Sequence, residues 1–279
     1  MTTALIETLA HAIETRYVFA EVGATAAADV RAVDPDGLGP DELAAALTTA
    51  AQSGNHDRHL RIRRRPPSRP RSDADWRAHY AADARRSAGG IRAVTHLDDH
   101  TGLLAIAPYT SPPDLAEPYV RAAFTLLSGV ERLVVDLREG RGGVPETVAM
   151  ICGYLLGDEP VHLQDLVGRD GTARQYWSVP AAGRLAPEVS VCVLTSSATF
   201  SGCEELAYNL QAQERAVVVG ESTGGGAHPV TVVPLSDELE VSIPVERSVN
   251  AVTGTNWEQV GVVPDVECPA AEALERALV

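Results

Sequence analysis

Three short apolar runs, each followed by a glycine-bearing turn, constrain this fold more than any other feature. They are RLVVDLR (132–138), VSVCVLTS (189–196) and RAVVVGES (215–222). Runs that are apolar throughout are typical of parallel strands buried on both faces. The first two lead through EGRGG and TFSGCEE into helical patterns. Repeated strand–turn–helix units predict an α/β fold with a mainly parallel sheet covered by helices.

The rest of the sequence suggests a division into three parts. Residues 1–62 have helical spacing over 3–52 and then a strand-like piece, LRIR, so we interpret them as a small N-terminal helical subdomain. Residues 63–90 begin with RRRPPSRPRSDAD, which is typical of an exposed linker. Residues 91–279 carry the α/β core, and within them we expect a hairpin over 165–180 with its turn at 169–171.

Charge and composition exclude several classes of partner. The formal net charge is −15, so the surface repels nucleic acids and anionic membranes. We find no apolar run of transmembrane length, and Glu7 and Glu14 stand where a signal peptide would be basic or apolar. The four cysteines lack CxxC spacing and are expected to be reduced. The prediction is a cytoplasmic protein without a nucleic-acid or membrane partner.

All 23 basic residues are arginines, and the sequence contains no lysine. This excludes mechanisms that need an amine, namely Schiff bases, phosphate-loop lysines and Ser–Lys dyads. The histidines are scattered, and the Gly224–Gly226 run lacks the lysine of a nucleotide loop. We therefore expect no metal and no cofactor, and any nucleophile must be activated by histidine or carboxylate.

Ser201 stands where the second apolar run enters its helix, and its pattern supports two interpretations. Ligands of open α/β sheets gather at the carboxyl ends of strands, so Ser201 could be a nucleophile there. The N–H of Gly202 and that of Gly142 or Gly143 would then form an oxyanion hole. Alternatively, Ser201 and Glu204 form a capping box that only begins the helix.

The order and spacing of three segments resemble one serine peptidase family. These are DLREGRGG (136–143), TSSATFSGCEELAYNLQAQERAVVVGESTGGGAHP (195–229) and NWEQVGVVPD (256–265). The family contains the C-terminal processing (tail-specific) proteases, tricorn protease and interphotoreceptor retinoid-binding protein. RYVFAEV (16–22) and DRHLRI (57–62) resemble the retinoid-binding-protein branch. The resemblance implies a crotonase/Clp-like ββα core and a serine hydrolase.

The resemblance also implies roles for individual residues. Ser201 falls on the family nucleophile, with Gly202 and either Gly142 or Gly143 as oxyanion donors. The base lysine of the processing proteases falls on Gly226, which excludes their Ser–Lys mechanism. The histidine base and the glutamate of the tricorn-like branch fall on His59 and Glu258.

Other positions complete the expected site or depart from the family. Arg58 replaces a serine that the tricorn branch has before its histidine. His228 is a second candidate for the base, and Asp57 and Trp177 are candidates for the pocket wall. The hairpin around Tyr176 and Trp177 forms a lid or packs into the fold, and the pattern leaves both open.

The substrate class implied by the resemblance is a short peptide or a small ester or amide. The interval 63–90 is too short for the PDZ domain with which processing proteases capture protein tails. Two alternatives stay open: a biosynthetic enzyme of cyclisation, lactone or ester chemistry, and a non-catalytic binder of a hydrophobic ligand. The oligomeric state, a homo-oligomer included, is not specified by the sequence.

Overall fold

The computed structural model describes residues 2–66 and 73–279, and the chain divides into two compact units. Unit 1 comprises residues 1–69, 166–174 and 228–248. Unit 2 comprises residues 70–165, 175–227 and 249–279. Each unit is built from segments that are distant in sequence, so long-range contacts define both.

The described residues form eight α-helices and twelve strands. The helices are α1 (Thr2–Arg16), α2 (Ala20–Arg31), α3 (Pro40–Gln52), α4 (Asp73–Ser87), α5 (Pro113–Leu126), α6 (Pro145–Gly153), α7 (Gly202–Ala212) and α8 (Ala273–Leu278). The strands are β1 (Arg61–Arg64), β2 (Ile91–His96), β3 (Thr101–Ile106), β4 (Arg132–Asp136), β5 (His162–Gly168), β6 (Ala173–Trp177), β7 (Ser190–Thr195), β8 (Val217–Gly220), β9 (Val230–Pro234), β10 (Leu239–Pro244), β11 (Glu246–Asn250) and β12 (Val266–Glu267). Among the described residues, no helix has the length and apolar character needed to cross a membrane.

Unit 2 contains a six-stranded sheet in the order β12-β8-β7-β4-β3-β2. Its strands are parallel except for β2, which pairs antiparallel with β3. The three apolar runs of the sequence are β4, β7 and β8, and they are adjacent in the sheet. The predicted α/β fold with a mainly parallel sheet is confirmed.

Both faces of this sheet are covered, which explains why its central strands are apolar throughout. Leu133 and Val135 of β4 pack into the core formed with α5, α6 and α7, whereas Val134 packs toward α8 with Leu194 and Val219. The strand period of two sends alternate side chains to opposite faces. Each fully buried aliphatic side chain contributes about 1.5–3 kcal/mol.

Unit 1 packs α1, α2 and α3 against an antiparallel sheet in the order β1-β10-β9. Its core includes Leu9, Ile13, Leu47 and Leu60, all fully buried. The sequence-based subdomain ended at residue 62, but residues 166–174 and 228–248 also belong to unit 1. Pairings such as Ile62 with Val241 join β1 to strands far along the chain, and local patterns do not report such contacts.

The interval 63–90, expected to be a linker, contains regular structure. Residues 73–87 form α4 and Ala88–Gly90 form a 3₁₀ turn, whereas residues 67–72 lie outside the described residues. Ala84 of α4 is buried, and Trp76 stacks on Tyr80 with ring centroids 5.4 Å apart. The arginines and prolines that suggested a linker are concentrated before residue 73, and the helix begins after them.

The hairpin expected over 165–180 is present as β5 and β6. The two strands are neighbours in a three-stranded sheet of order β11-β5-β6. The Gly168 N–H donates to the Thr172 carbonyl at 2.8 Å, and Gly171 has φ 81° in the turn, a conformation that glycine adopts readily. The predicted turn at 169–171 therefore agrees with the structure.

Candidate active site

Ser201 lies directly before α7, at the end of the turn that follows β7. Its backbone has φ 53° and ψ −126°, which is rare for a residue with a side chain and costs about 1–3 kcal/mol. A serine that only caps a helix has an extended backbone instead. The strain is a local departure from ordinary capping geometry, and such departures concentrate at functional sites.

Two glycines of the turn after β4 lie against Ser201. A Cβ atom added at Gly142 would lie 3.2 Å from Ser201 Cβ and 3.5 Å from Ser201 Oγ. A Cβ atom added at Gly202 would lie 2.9 Å from the Gly143 nitrogen. Gly142 and Gly143 have φ values of 143° and 154°, which strongly favour glycine. Glycines at these positions let the backbones of the two turns approach each other and the serine.

The backbone N–H groups of Gly143 and Gly202 are the candidate donors of an oxyanion hole. Within residues 2–66 and 73–279, neither group donates a hydrogen bond to a protein acceptor. Gly202 is the first residue of α7, where helix N–H groups lack an intrahelical partner and the helix dipole favours negative charge. Two such donors beside a serine hydroxyl can stabilise a developing oxyanion.

Glu204 connects the start of α7 to the glycine-rich segment after β8, residues 223–227, here called the glycine loop. Its Oε2 accepts the Ser201 N–H at 2.7 Å and the Gly226 N–H at 2.9 Å. Its Oε1 accepts the Gly225 N–H at 2.6 Å and the Thr223 hydroxyl. Burial raises the pKa of Glu204, although these donors oppose the shift. The sequence indicates Glu204 only as part of a capping box, and it does not predict the hydrogen bonds of Glu204 to the glycine loop.

Glu258 also holds the glycine loop. Its Oε2 accepts the Ala227 N–H at 2.6 Å, and the indole of the fully buried Trp257 donates to the Gly226 carbonyl at 3.0 Å. A Cβ atom added at Gly225 would lie 2.9–3.0 Å from the backbone of Gln259, so the two segments are in close contact. Glu258, which the resemblance assigned to the site, is thus hydrogen-bonded to Ala227, the residue that precedes His228.

Unit 1 brings together three other candidate residues. Asp57 is 1% exposed, and it accepts the Tyr17 hydroxyl at 2.7 Å and the His59 N–H at 2.9 Å. Its Oδ2 also lies 3.4 Å from Nδ1 of His228, which packs edge-on against Phe19. Burial by itself raises the pKa of Asp57, but the hydrogen bonds of His228 and Tyr17 lower it more, so Asp57 is a carboxylate.

The two candidate bases in unit 1, His59 and His228, differ in their surroundings. The pKa of His59 is lowered to about 4, mainly by burial; Asp57 opposes this shift, whereas His228 and Arg58 add to it. His59 is therefore neutral near pH 7, which is the form that accepts a proton. His228 is 5% exposed and faces the Asp57 carboxylate through Nδ1, an arrangement that fixes the tautomer of an imidazole. The contact between Asp57 and His228 was not foreseen, because the two residues are 171 positions apart.

Trp177, a candidate for the pocket wall, lies at the surface of unit 2. It is 45% exposed and stacks on His162 with ring centroids 4.7 Å apart. Its neighbour Tyr176 is buried and donates its hydroxyl to Glu146 Oε1 at 2.7 Å. Tyr176 is therefore packed inside unit 2, whereas the side chain of Trp177 is half-exposed.

A comparison with protein-family models matches residues 100–268 to the model described as peptidase family S41. The match covers more than half of the chain. The chain belongs to peptidase family S41. The matched range contains Ser201, Gly142, Gly143 and Glu258 as well as His228, whereas His59 precedes it.

Several known proteins resemble the chain in sequence or in structure. The chloroplastic carboxyl-terminal-processing peptidase 2 of Arabidopsis thaliana is 31% identical over 157 residues, which cover 55% of this chain and 30% of that protein. Among solved structures, a lipoprotein from Streptococcus agalactiae has a TM-score of 0.64 at 13% identity, covering 99% of this chain and 94% of that chain. The photosystem II D1 C-terminal processing protease has a TM-score of 0.58 at 18% identity, covering 99% and 97%. The chain spans about a third of the length of the curated relative, and the structural likenesses show the fold alone.

Proposed function

We propose that the chain is a serine hydrolase in which Ser201 is the nucleophile. The observation that carries this proposal is the cluster of Ser201 with the N–H groups of Gly143 and Gly202, which donate to no acceptor in the described part of the chain. A helix cap requires neither the strained backbone at Ser201 nor a second glycine-bearing turn packed against it. Both features are what an acyl-transfer site needs, because the oxyanion must find donors already in position.

The proposed reaction is acyl transfer through an ester. Ser201 Oγ attacks the carbonyl carbon of the substrate while its proton passes to an imidazole. The carbonyl oxygen becomes an oxyanion that accepts hydrogen bonds from the two glycine N–H groups. The carbon–nitrogen or carbon–oxygen bond to the leaving group then breaks, and the imidazolium returns the proton to that group. Water, deprotonated by the same imidazole, hydrolyses the ester and regenerates Ser201.

The base in this proposal is a histidine, because the chain has no lysine. The resemblance to the tricorn-like branch favours His59, with Glu258 as the residue that orients the site. The neutrality of His59 near pH 7 supports that assignment. The Asp57 carboxylate at His228 Nδ1 supports His228 as the second candidate, since it matches the carboxylate–imidazole pair of other serine hydrolases.

The proposed substrate is a peptide, or a small ester or amide that reacts by the same chemistry. Membership of peptidase family S41 supports peptides, and the curated relative is named for processing carboxyl termini. Since the chain spans only part of that relative, preference for a protein's carboxyl terminus is a further element of the proposal.

A fluorophosphonate probe tests the nucleophile directly. Attack by Ser201 Oγ forms an oxygen–phosphorus bond, releases fluoride and leaves a covalent label that intact-mass spectrometry detects. We expect the wild-type chain to be labelled once and Ser201→Ala to remain unlabelled. The matched control is Ser197→Ala, which removes an exposed serine from the same turn and should label normally. Labelling that persists in Ser201→Ala, or a folded wild-type chain that never labels, would contradict the proposal.

A further inference from the structure

A buried cysteine lies beneath the turn that carries the two glycines. Cys203 is the second residue of α7 and is 2% exposed. A Cβ atom added at Gly140 would lie 2.6 Å from its Sγ, so the thiol fills the space under that glycine. Its Sγ is 3.5 Å from the Gly142 carbonyl oxygen, within reach of an S–H···O hydrogen bond. The Cys203 side chain thus contacts residues 140–143, here called the GRGG turn, at Gly140 and at the Gly142 carbonyl.

The Cys203 thiol keeps its proton under ordinary conditions. Burial raises its pKa to about 12, and a backbone hydrogen bond from Gly142 opposes the shift only in part. A protonated thiol is a weak donor, and the Gly142 carbonyl is the acceptor it faces.

The Gly142 carbonyl is held from a second side. The Thr110 N–H donates to it at 3.1 Å, in a short bridge that pairs Tyr109 with Gly142. The peptide that joins Gly142 to Gly143 is planar and trans, so its N–H points opposite to its carbonyl. Fixing the carbonyl between Thr110 and Cys203 therefore aims the Gly143 N–H away from both.

We propose that Cys203 is a positioning residue that orients the Gly142–Gly143 peptide and makes Gly143, rather than Gly142, the second oxyanion donor. This inference rests on the proposed function, since it assigns a role within that site. A Cβ atom added at Gly202 would lie 2.8 Å from the Gly143 oxygen and 2.9 Å from the Gly143 nitrogen, so the backbones of the two donor residues are in contact. Cys203 itself touches no reacting atom.

The test measures labelling kinetics with the same probe, separating the maximal labelling rate from the probe concentration at half-maximal rate. Cys203→Ala removes the S–H donor and lets the peptide rotate. Complete loss of an oxyanion donor costs roughly 100- to 1000-fold, and we expect a partly turned donor to cost about 10-fold in the maximal rate. The half-maximal concentration should not change. Cys203→Ser supplies an O–H donor and should retain at least about a third of the wild-type rate.

The matched control is Cys152→Ala, which removes another fully buried thiol of unit 2 and should leave the rate unchanged. If Cys203→Ala does not fold, Cys203→Val keeps the volume without a donor and takes its place. The inference is overturned if folded Cys203→Ala or Cys203→Val labels at the wild-type rate. It is also overturned if Cys203→Ser loses as much of the maximal labelling rate as Cys203→Ala. These results are distinct from failure of the proposed function, in which the wild-type chain does not label at Ser201.

Discussion

Glu205 gives the sharpest prediction for the stability of this protein. It lies on α7 one residue after Glu204, is 4% exposed, and has its Oε1 shielded from solvent. The pKa of Glu205 is raised from an ordinary 4.5 to about 8, mainly by burial; Gln164 opposes this shift and Glu146 adds to it. At pH 7 the folded chain therefore holds a proton on Glu205 that the unfolded chain releases.

The sign and size of the effect follow from this difference. The stability contributed by a raised pKa is complete below about pH 4.5 and is lost as the pH rises to about 8. At about 1.4 kcal/mol per pH unit, the loss is about 3.4 kcal/mol at pH 7 and about 5 kcal/mol above pH 8. A domain is typically stable by about 5–15 kcal/mol, so the loss is measurable.

The assay is urea unfolding of the full chain at several values between pH 4.5 and 8.5. Glu205→Gln keeps the shape of the side chain but cannot ionise, so its stability should lack this decline. At pH 8 it should exceed the wild-type stability by about 3–5 kcal/mol. The matched control is Glu188→Gln, which removes the same charge from an exposed residue and should keep the wild-type slope.

Parallel pH profiles for the wild-type chain and Glu205→Gln would refute this reasoning. They would mean that Glu205 is ionised in the folded chain, with an unrecognised donor or cation beside it. A profile for Glu188→Gln as flat as that of Glu205→Gln would also refute it, because the decline would then follow net charge rather than burial.

Three further predictions concern the histidine base, the pKa of His59 and the hydrogen bonds of Glu204. Removing the catalytic base should slow probe labelling by about 100-fold or more. Labelling rates measured for His59→Gln and for His228→Gln identify which of the two histidines is the base. If both variants label at the wild-type rate, neither histidine is the base. Because burial lowers the pKa of His59 from 6.5 to about 4, the stability that neutral His59 contributes is present above pH 6.5 and is lost toward pH 4. The loss is at most about 3 kcal/mol. Urea unfolding should show this loss in the wild-type chain but not in His59→Asn. Glu204→Ala leaves the buried N–H groups of Gly225 and Gly226 without their acceptor, so urea unfolding should show a loss of at least about 2 kcal/mol, and an unchanged midpoint would contradict the role of Glu204 in holding the glycine loop.

The main features of the core fold could be predicted because they are local. The apolar runs at β4, β7 and β8 predict strands buried on both faces. The turns after these runs mark the carboxyl ends of the strands, where ligands of such sheets bind. The subdomain boundary could not be placed in this way. Unit 1 takes β9 and β10 from residues about 170 positions after β1, and only strand pairing reveals that they belong together.

By itself, the sequence determined which chemistry is available: a serine before a helix, glycines that tolerate close backbone approach, histidines, and no lysine. The tertiary structure decided how those groups are held. Glu204 joins the start of α7 to the glycine loop, Asp57 faces His228, and Cys203 lies under Gly142. Each contact joins separate segments of the chain, and Glu204, Asp57 and Cys203 are deeply buried. Hydrogen bonds and pKa values at such places depend on three-dimensional surroundings, so residue order alone does not specify them.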